Sequence, residues 1–339
     1  ADFDDMLAAM HARGIKLMMD LVVNHTSDEH AWFQEARKSR DNPYHDYYIW
    51  RDPKPDGSPP TNWEAAFQGS VWEWNEPTGE FYMHMFSRKQ PDLNWESPKL
   101  RAEVHDVMRF WLDKGVDGFR MDVINMISKP WNADGSLPDA PVVRGGFLQP
   151  GFAMSCNGPR LTEFLREMRR EVLDHYHTLT VGEAPLATIQ QGVDLTHPDT
   201  GALNMLFQFE HMDIDRAAHR AVKPWKLKDL KDVMTRWQKG LEGRAWNSNY
   251  LSNHDQPRQV SRFGNDGAYR VESAKLLATF NHLLQGTPYV YQGEELGMTN
   301  APFAGIEDFR DIESVNHYAE AVDAGRSPEQ VLPALRAMS

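Results

Sequence analysis

Residues 116–123 read Val-Asp-Gly-Phe-Arg-Met-Asp-Val, a short apolar run that ends in charge. The stretch before it has helical spacing: Leu100, Val104, Val107 and Trp111 recur on one face, Ser97 suits the N-cap, Pro98 the first helical position and Gly115 the stop. A helix closing on glycine and feeding a buried strand is the repeating step of an α/β fold. Arg120 and Asp122 lie two apart on that strand, so their side chains share a face. The arginine can hold the carboxylate ionised, the state in which a carboxylate acts as a nucleophile.

Working outward, the step recurs. Phe3, Met6, Leu7 and Met10 have helical spacing and close on Gly14, before a strand expected over 15–23. Downstream, a helix near 161–175 feeds a strand over 178–182, and another strand is expected near 202–209. A helix over 227–241 precedes a strand ending at Leu251, and a helix near 269–284 precedes a strand over 287–292. These amount to about six βα steps, which predicts a parallel sheet or barrel. Residues 26–95 break the rhythm: they are rich in Trp, Tyr, Pro, Asp and Asn, with helical spacing only near 31–38, and read as an inserted subdomain. Its aromatics, including Trp50, Trp63, Phe67, Trp72 and Trp74, make a small core, with one or two free to stack on a sugar.

The composition narrows the partners. Among 339 residues, 41% are hydrophobic and 25% charged, which describes a globular protein able to bury a core. A formal net charge of -13 with no basic cluster argues against nucleic acid and anionic membranes and favours a neutral small molecule. The one cysteine, Cys156, excludes an internal disulfide and a cysteine-based zinc site, so a reducing, cytoplasmic compartment is expected. No apolar run reaches the roughly 18 residues that a spanning helix needs.

Four polar clusters fall where strands run out: Asp20 to His25 (DLVVNH), Arg120 and Asp122 (GFRMDV), Glu183 (TVGE), and His254 with Asp255 (NHDQ). In a (β/α)8 barrel the site is built at the C-terminal ends of strands, so positions scattered in sequence converge. Taken singly, Arg120 with Asp122 reads equally well as a barrel-mouth salt bridge and His25 as a satisfied strand-end histidine. Four such clusters need a common explanation, and a polyol-binding catalytic pocket supplies one. Glycosidic hydrolysis needs one carboxylate for attack and one carboxylic acid for the departing oxygen. Asp122 fits the first role. Glu183, set between Gly182 and Pro185, fits the second. Asp255 would bind sugar hydroxyls as the ring distorts, with His25 and His254 as neutral hydrogen-bond donors.

In this order the four clusters closely resemble the motif regions of the α-amylase superfamily (glycoside hydrolase family thirteen), along nearly the whole chain. QPDLNWE at Gln90 to Glu96 resembles the motif of the oligo-1,6-glucosidase subgroup, and SRFGND and GTPYVYQGEELGMTN extend the likeness. The resemblance implies Asp122 as nucleophile, Glu183 as general acid and base, and Asp255 as transition-state stabiliser. It implies Asp20, His25, Arg120 and His254 as sugar-binding positions and Phe67 as an aromatic of the first sugar site. Val123, after the nucleophile, accompanies α-1,6 preference in this family. The implied reaction is double displacement with retention, releasing glucose from the non-reducing end of short α-glucosides such as isomalto-oligosaccharides. Its reacting carboxyl groups should stand about 5–5.5 Å apart.

The implied fold is a (β/α)8 TIM barrel, here incomplete: about six βα units over 1–25 and 96–339, and an inserted subdomain over 26–95. The family's first two strands, last barrel helix and C-terminal β-domain are expected outside this sequence. So is the family's calcium loop, and no cofactor or metal is assigned to these residues. Six strands cannot close an eight-stranded barrel, and an open apolar sheet edge predicts poor solubility of the isolated stretch. Oligomeric state is not addressed by the sequence. Other functions compatible with the motifs are trehalose-6-phosphate hydrolase, dextran glucosidase, α-1,4-glucosidase and sucrose isomerase. A different class is a noncatalytic carbohydrate- or partner-binding member.

Overall fold

The computed structural model describes residues 2–216 and 222–338, which form two units, 1–206 and 207–339. The first unit opens with helix α1 (Asp2–His11) and strand β1 (Met18–Val22). The insertion follows, with helix α2 (Ala31–Ala36) and short strands β2 (Trp50–Arg51), β3 (Trp63–Glu64), β4 (Trp72–Asn75) and β5 (Glu80–Met83). Next come α3 (Pro98–Asp113), β6 (Gly118–Asp122), β7 (Gln149–Pro150), α4 (Phe152–Ser155), α5 (Leu161–Glu171), β8 (Leu179–Glu183), α6 (Ile189–Thr196) and β9 (Met205–Phe207).

One sheet carries the unit, in the order β1-β6-β8-β9, with β1 parallel to β6 and β6 parallel to β8. Its close pairing depends on a missing side chain: a Cβ on Gly118 would lie 1.9 Å from the Leu179 carbonyl oxygen. The strands are shorter than the sequence suggests. The expected strand over 15–23 pairs only from Met18, and β6 stops at Asp122 because Val123 turns into the left-handed region at φ 33°. Helix α5 ends at Glu171, and 173–175 tighten into a 3-10 turn.

Helix α3 buries Leu100, Val104, His105, Met108 and Leu112. This is an i, i+4 stripe, rotated from the expected face, and it leaves Val107 exposed. Ser97 occupies the N-cap, yet its side chain makes no capping bond. Gly115 ends the helix at φ 101°, a conformation that costs glycine little.

In the insertion β2, β5 and β4 form an antiparallel sheet, while β3 pairs in parallel with β7. The five aromatics separate. Trp50, Trp63 and Trp72 are buried as core, Trp74 is exposed and packs edge-on against Phe81, and Phe67 is partly buried. Trp63 and Trp72 share an apolar cluster with Met83, Met85, Val123 and Met126, which seats the insertion on the turn after β6.

The second unit holds α7 (Leu227–Leu241), β10 (Ser248–Asn249), α8 (Gln259–Phe263), α9 (Arg270–Leu283), β11 (Thr287–Pro288), α10 (Ile312–Asp323) and α11 (Pro328–Ala337). Strands β10 and β11 pair in parallel over two residues each, far less than the runs expected up to Leu251 and Gln292. Phe207, Tyr250 and Tyr289 pack as an edge-to-face cluster beside them. Among the described residues no closed barrel forms: the four-stranded sheet and the β10-β11 pair are separate sheets. No helix among them is long and apolar enough to cross a membrane.

Candidate active site

Parallel register builds the carboxylate cluster of the first unit. Asp20 on β1 stands opposite Arg120 on β6, and Val22 opposite Asp122; across β6, Met121 stands opposite Gly182 of β8. Glu183 is the next residue and ends β8. Gly182 keeps that end tight, since a Cβ there would come within 2.7 Å of Leu203 and 2.8 Å of Ile124.

The Arg120 guanidinium gathers three carboxylates. Its Nη1 donates to Asp20 Oδ1 at 2.9 Å and Oδ2 at 3.0 Å and to Asp122 Oδ1 at 2.6 Å, while Nη2 donates to Glu183 Oε2 at 2.5 Å. Burial alone would lower the Arg120 pKa, but Glu183, Asp20 and Asp122 together raise it above its ordinary value, so the cation is fixed. The side chain of Asp122 is 21% exposed and that of Glu183 10%. Sequence reasoning gave Arg120 to Asp122; the structure makes it a shared hub. Three carboxylates around one guanidinium leave a net negative site, suited to a transition state that develops positive charge.

Val123 supplies a further contact. Its left-handed backbone, φ 33° and ψ 43°, is a strained setting for a β-branched residue, and it aims the Val123 N–H at Glu183 Oε2, 3.1 Å away. Glu183 therefore accepts two donors through one oxygen.

His25 is buried and lies near enough to Asp122 to feel its charge. Burial lowers its pKa against the opposing pull of Asp92 and Asp122, so the ring is held neutral. The Gln90 side-chain amide nitrogen lies 3.1 Å from its Nε2, and Phe86 packs against the ring at 5.3 Å. Phe86 in turn meets Phe67 at 5.8 Å, so the aromatic singled out in the sequence connects to His25 through a residue that was not.

The sequence reading also missed Lys129. Fully buried, it pairs with buried Asp92 at 2.8 Å and donates to the Met126 carbonyl at 2.8 Å and to Asn24 Oδ1 at 3.2 Å. Asp92 lies within QPDLNWE and takes the Met85 N–H at 3.0 Å, so the pair ties that motif to the turn after the Asp122 strand. The motif carried Asp92 in plain view; nothing in the composition around Lys129 announces a buried ammonium.

His254 and Asp255 lie on the second unit, where their side chains pair at 3.1 Å and each is 57% exposed. The loop bearing them leaves β10 through Tyr250, Leu251 and Ser252, all buried. Its root is braced by His211, whose Nε2 contacts the Tyr250 carbonyl at 2.8 Å while the Gln208 amide meets Nδ1 at 2.8 Å. Asp255 is oriented by its own N–H, which donates to Asn253 Oδ1 at 2.8 Å. Among the described residues no group of three or more His, Cys, Asp or Glu side chains could hold a metal ion.

Parallel strands that end in carboxylates held by one arginine define an α/β protein with an acidic site at the C-terminal edge of its sheet. The chain belongs to the α-amylase catalytic-domain family, whose model, described as alpha amylase, catalytic domain, matches residues 1–331. The fold of that family is the (β/α)8 barrel. The chain is 61% identical over 335 residues to an oligo-1,6-glucosidase of Parageobacillus thermoglucosidasius, covering 98% of this chain and 59% of that protein. It is 47% identical over 341 residues to a trehalose-6-phosphate hydrolase of Bacillus subtilis, covering 100% of this chain and 59% of that one. Among solved structures it is similar to the isomaltulose synthase of Erwinia rhapontici, with a TM-score of 0.92, 39% identity, all of this chain covered and 60% of the other. The chain thus spans about three fifths of the length of these relatives.

Proposed function

We propose that this chain is the central part of a retaining α-glucosidase that releases glucose from short α-glucosides, with α-1,6-linked isomalto-oligosaccharides preferred. The observation that carries the reading is the Arg120 hub, which gathers Asp20, Asp122 and Glu183 from three adjoining strands. Asp122 attacks the anomeric carbon; Glu183 protonates the leaving oxygen and then, as base, activates the water that releases glucose. The acid step requires Glu183 to carry a proton, which Oε1 can hold while Oε2 accepts from Arg120 and Val123.

Asp20, Arg120, His25 and His254 bind sugar hydroxyls in this reading, Phe67 stacks on the first sugar, and Asp255 strengthens its contact in the transition state. The domain division is part of the same proposal: 1–25 and 96–339 as a portion of the barrel with about six βα units, 26–95 as the inserted subdomain. The single cysteine and the net charge support a reducing compartment and a neutral substrate. The 61% identity to an oligo-1,6-glucosidase favours isomaltose over the phosphorylated substrate named for the 47% relative.

The test is glucose release from isomaltose, maltose and trehalose-6-phosphate, with Asp122→Ala as control. Isomaltose turnover lost in the control is expected. Dominant turnover of another substrate would overturn the Val123 assignment, and no turnover by the folded full-length protein would favour the noncatalytic class.

A further inference from the structure

The motif GTPYVYQGEELGMTN, residues 286–300, is left unexplained by the mechanism, yet it lies against the loop that carries Asp255. Three hydrogen bonds and one cation–π contact join the two stretches. Ser252 Oγ donates to Glu294 Oε1. The Arg258 backbone N–H donates to Asn300 Oδ1 at 2.8 Å, and Arg258 Nη1 to the Gln292 carbonyl at 2.5 Å, while its guanidinium packs over the Tyr291 ring at 4.6 Å. The turn that presents Glu294 is tight, with Gly293 at φ 92° and Gly297 at φ 64°, and a Cβ on Gly293 would meet Met298 Sδ at 2.2 Å. Gln256, one residue past Asp255, is held separately by Arg262 Nη1 at 2.7 Å, and Arg262 is itself fixed by two bonds to buried Asp215.

These contacts are not equivalent. Arg258 and Arg262 hold the far side of the loop, whereas Ser252 is the last buried residue before the exposed tip. A hydroxyl there, bonded to a carboxyl group on another segment, fixes where the tip begins, and the Asn253 turn then fixes the direction of Asp255. We propose that Glu294 is a positioning residue for Asp255, acting through Ser252 to set the root of the loop. The proposal rests on the reading of Asp255 as transition-state stabiliser. Burial raises the Glu294 pKa, opposed by the Ser252 bond and by Arg258, which suits a carboxyl group used as an anchor away from the reacting bond.

The experiment compares Glu294→Ala, Ser252→Ala, the double variant and Glu294→Gln in the full chain. It measures kcat and KM on isomaltose, melting temperature, and amide hydrogen exchange at 253–255. Each alanine variant is expected to lose roughly 10²-fold in kcat, the scale of an ångström-sized misplacement. KM should stay within about threefold, since the interaction strengthened only in the transition state is the one lost. The double variant should be no worse than the poorer single, because both remove one bond. Glu294→Gln keeps an acceptor for Ser252 and should recover most of the rate.

Folded alanine variants within about twofold of the parent kcat, or a double loss equal to the product of the singles, would overturn the proposal. A parent without isomaltose turnover would instead sink the hydrolase reading. Exchange at 253–255 then still decides, being faster in both alanine variants if Glu294 sets the loop and unchanged if it does not.

Discussion

The strand-end cluster of the first unit and the Asp255 loop of the second hold their carboxylates by different means. Asp20, Asp122 and Glu183 are placed by parallel strands in fixed register and converge on one guanidinium, so Asp122 and Glu183 are mostly buried. Asp255 and His254 are 57% exposed at the tip of a loop, and their place depends on side-chain bonds from Glu294, Arg262 and Asn300 to its flanks. Backbone register gives geometry that no single side chain controls; a braced loop gives geometry that individual contacts can tune.

Substitution at the hub should have the largest effect. Arg120→Lys keeps the charge but offers a single nitrogen in place of the fork that meets Asp20, Asp122 and Glu183, so kcat on isomaltose should fall roughly 10²–10³-fold. A loss under about threefold would show that the fork is dispensable and remove the contrast with the loop.

The next effect belongs to the buried pair beneath the first unit's site. Lys129→Met leaves Asp92 charged and unpaired in the interior and should cost about 3–5 kcal/mol of stability in urea or thermal unfolding. Adding Asp92→Leu to Lys129→Met should restore much of it, since an apolar replacement of both partners removes the uncompensated charge.

In the second unit, pH is the probe. Burial lowers the His211 pKa from 6.5 to about 4, so the folded protein resists a proton that the unfolded chain accepts. Stability from His211 is therefore complete above about pH 6.5 and declines by about 3 kcal/mol as pH falls through that value toward 4. His25, His84 and His105 are shifted the same way by burial and add to the loss. A His211→Gln variant should show a shallower decline over that window, read by denaturant unfolding at stepped pH. An unchanged slope would show that burial does not hold His211 neutral.

The smallest effect is expected at Ser97. Its side chain makes no capping bond, so Ser97→Ala should change stability by less than about 0.5 kcal/mol, where a working N-cap costs about 1. A larger loss in a thermal melt would restore the cap that the sequence suggested.

These contrasts also explain what was legible beforehand. Asp122 and Glu183 were legible because each is a charge closing an apolar run, whereas Asp20 and Arg120 stand in the middle of β1 and β6 and were legible as charges interrupting one. Helix α3 was legible as an element but not in its facing: Leu100, Val104, Met108 and Leu112 form the buried stripe, and only tertiary packing decides between that row and the one through Val107 and Trp111. The Trp residues of the insertion looked alike in sequence, and their division into core and surface depends on pairings such as β3 with β7, some 85 residues apart. Lys129 was invisible because a buried lysine is recognised by its partner, not by its neighbours in the chain. The sharing of Arg120 among three carboxylates required register between strands some hundred and some sixty residues apart.

The most direct test of the central claim, that Asp122 and Glu183 work as a retaining pair, is proton NMR of the glucose released in the first turnovers of isomaltose. The account predicts α-glucose, which then mutarotates. Initial release of β-glucose would mean direct attack by water, with no covalent Asp122 intermediate, and would contradict it.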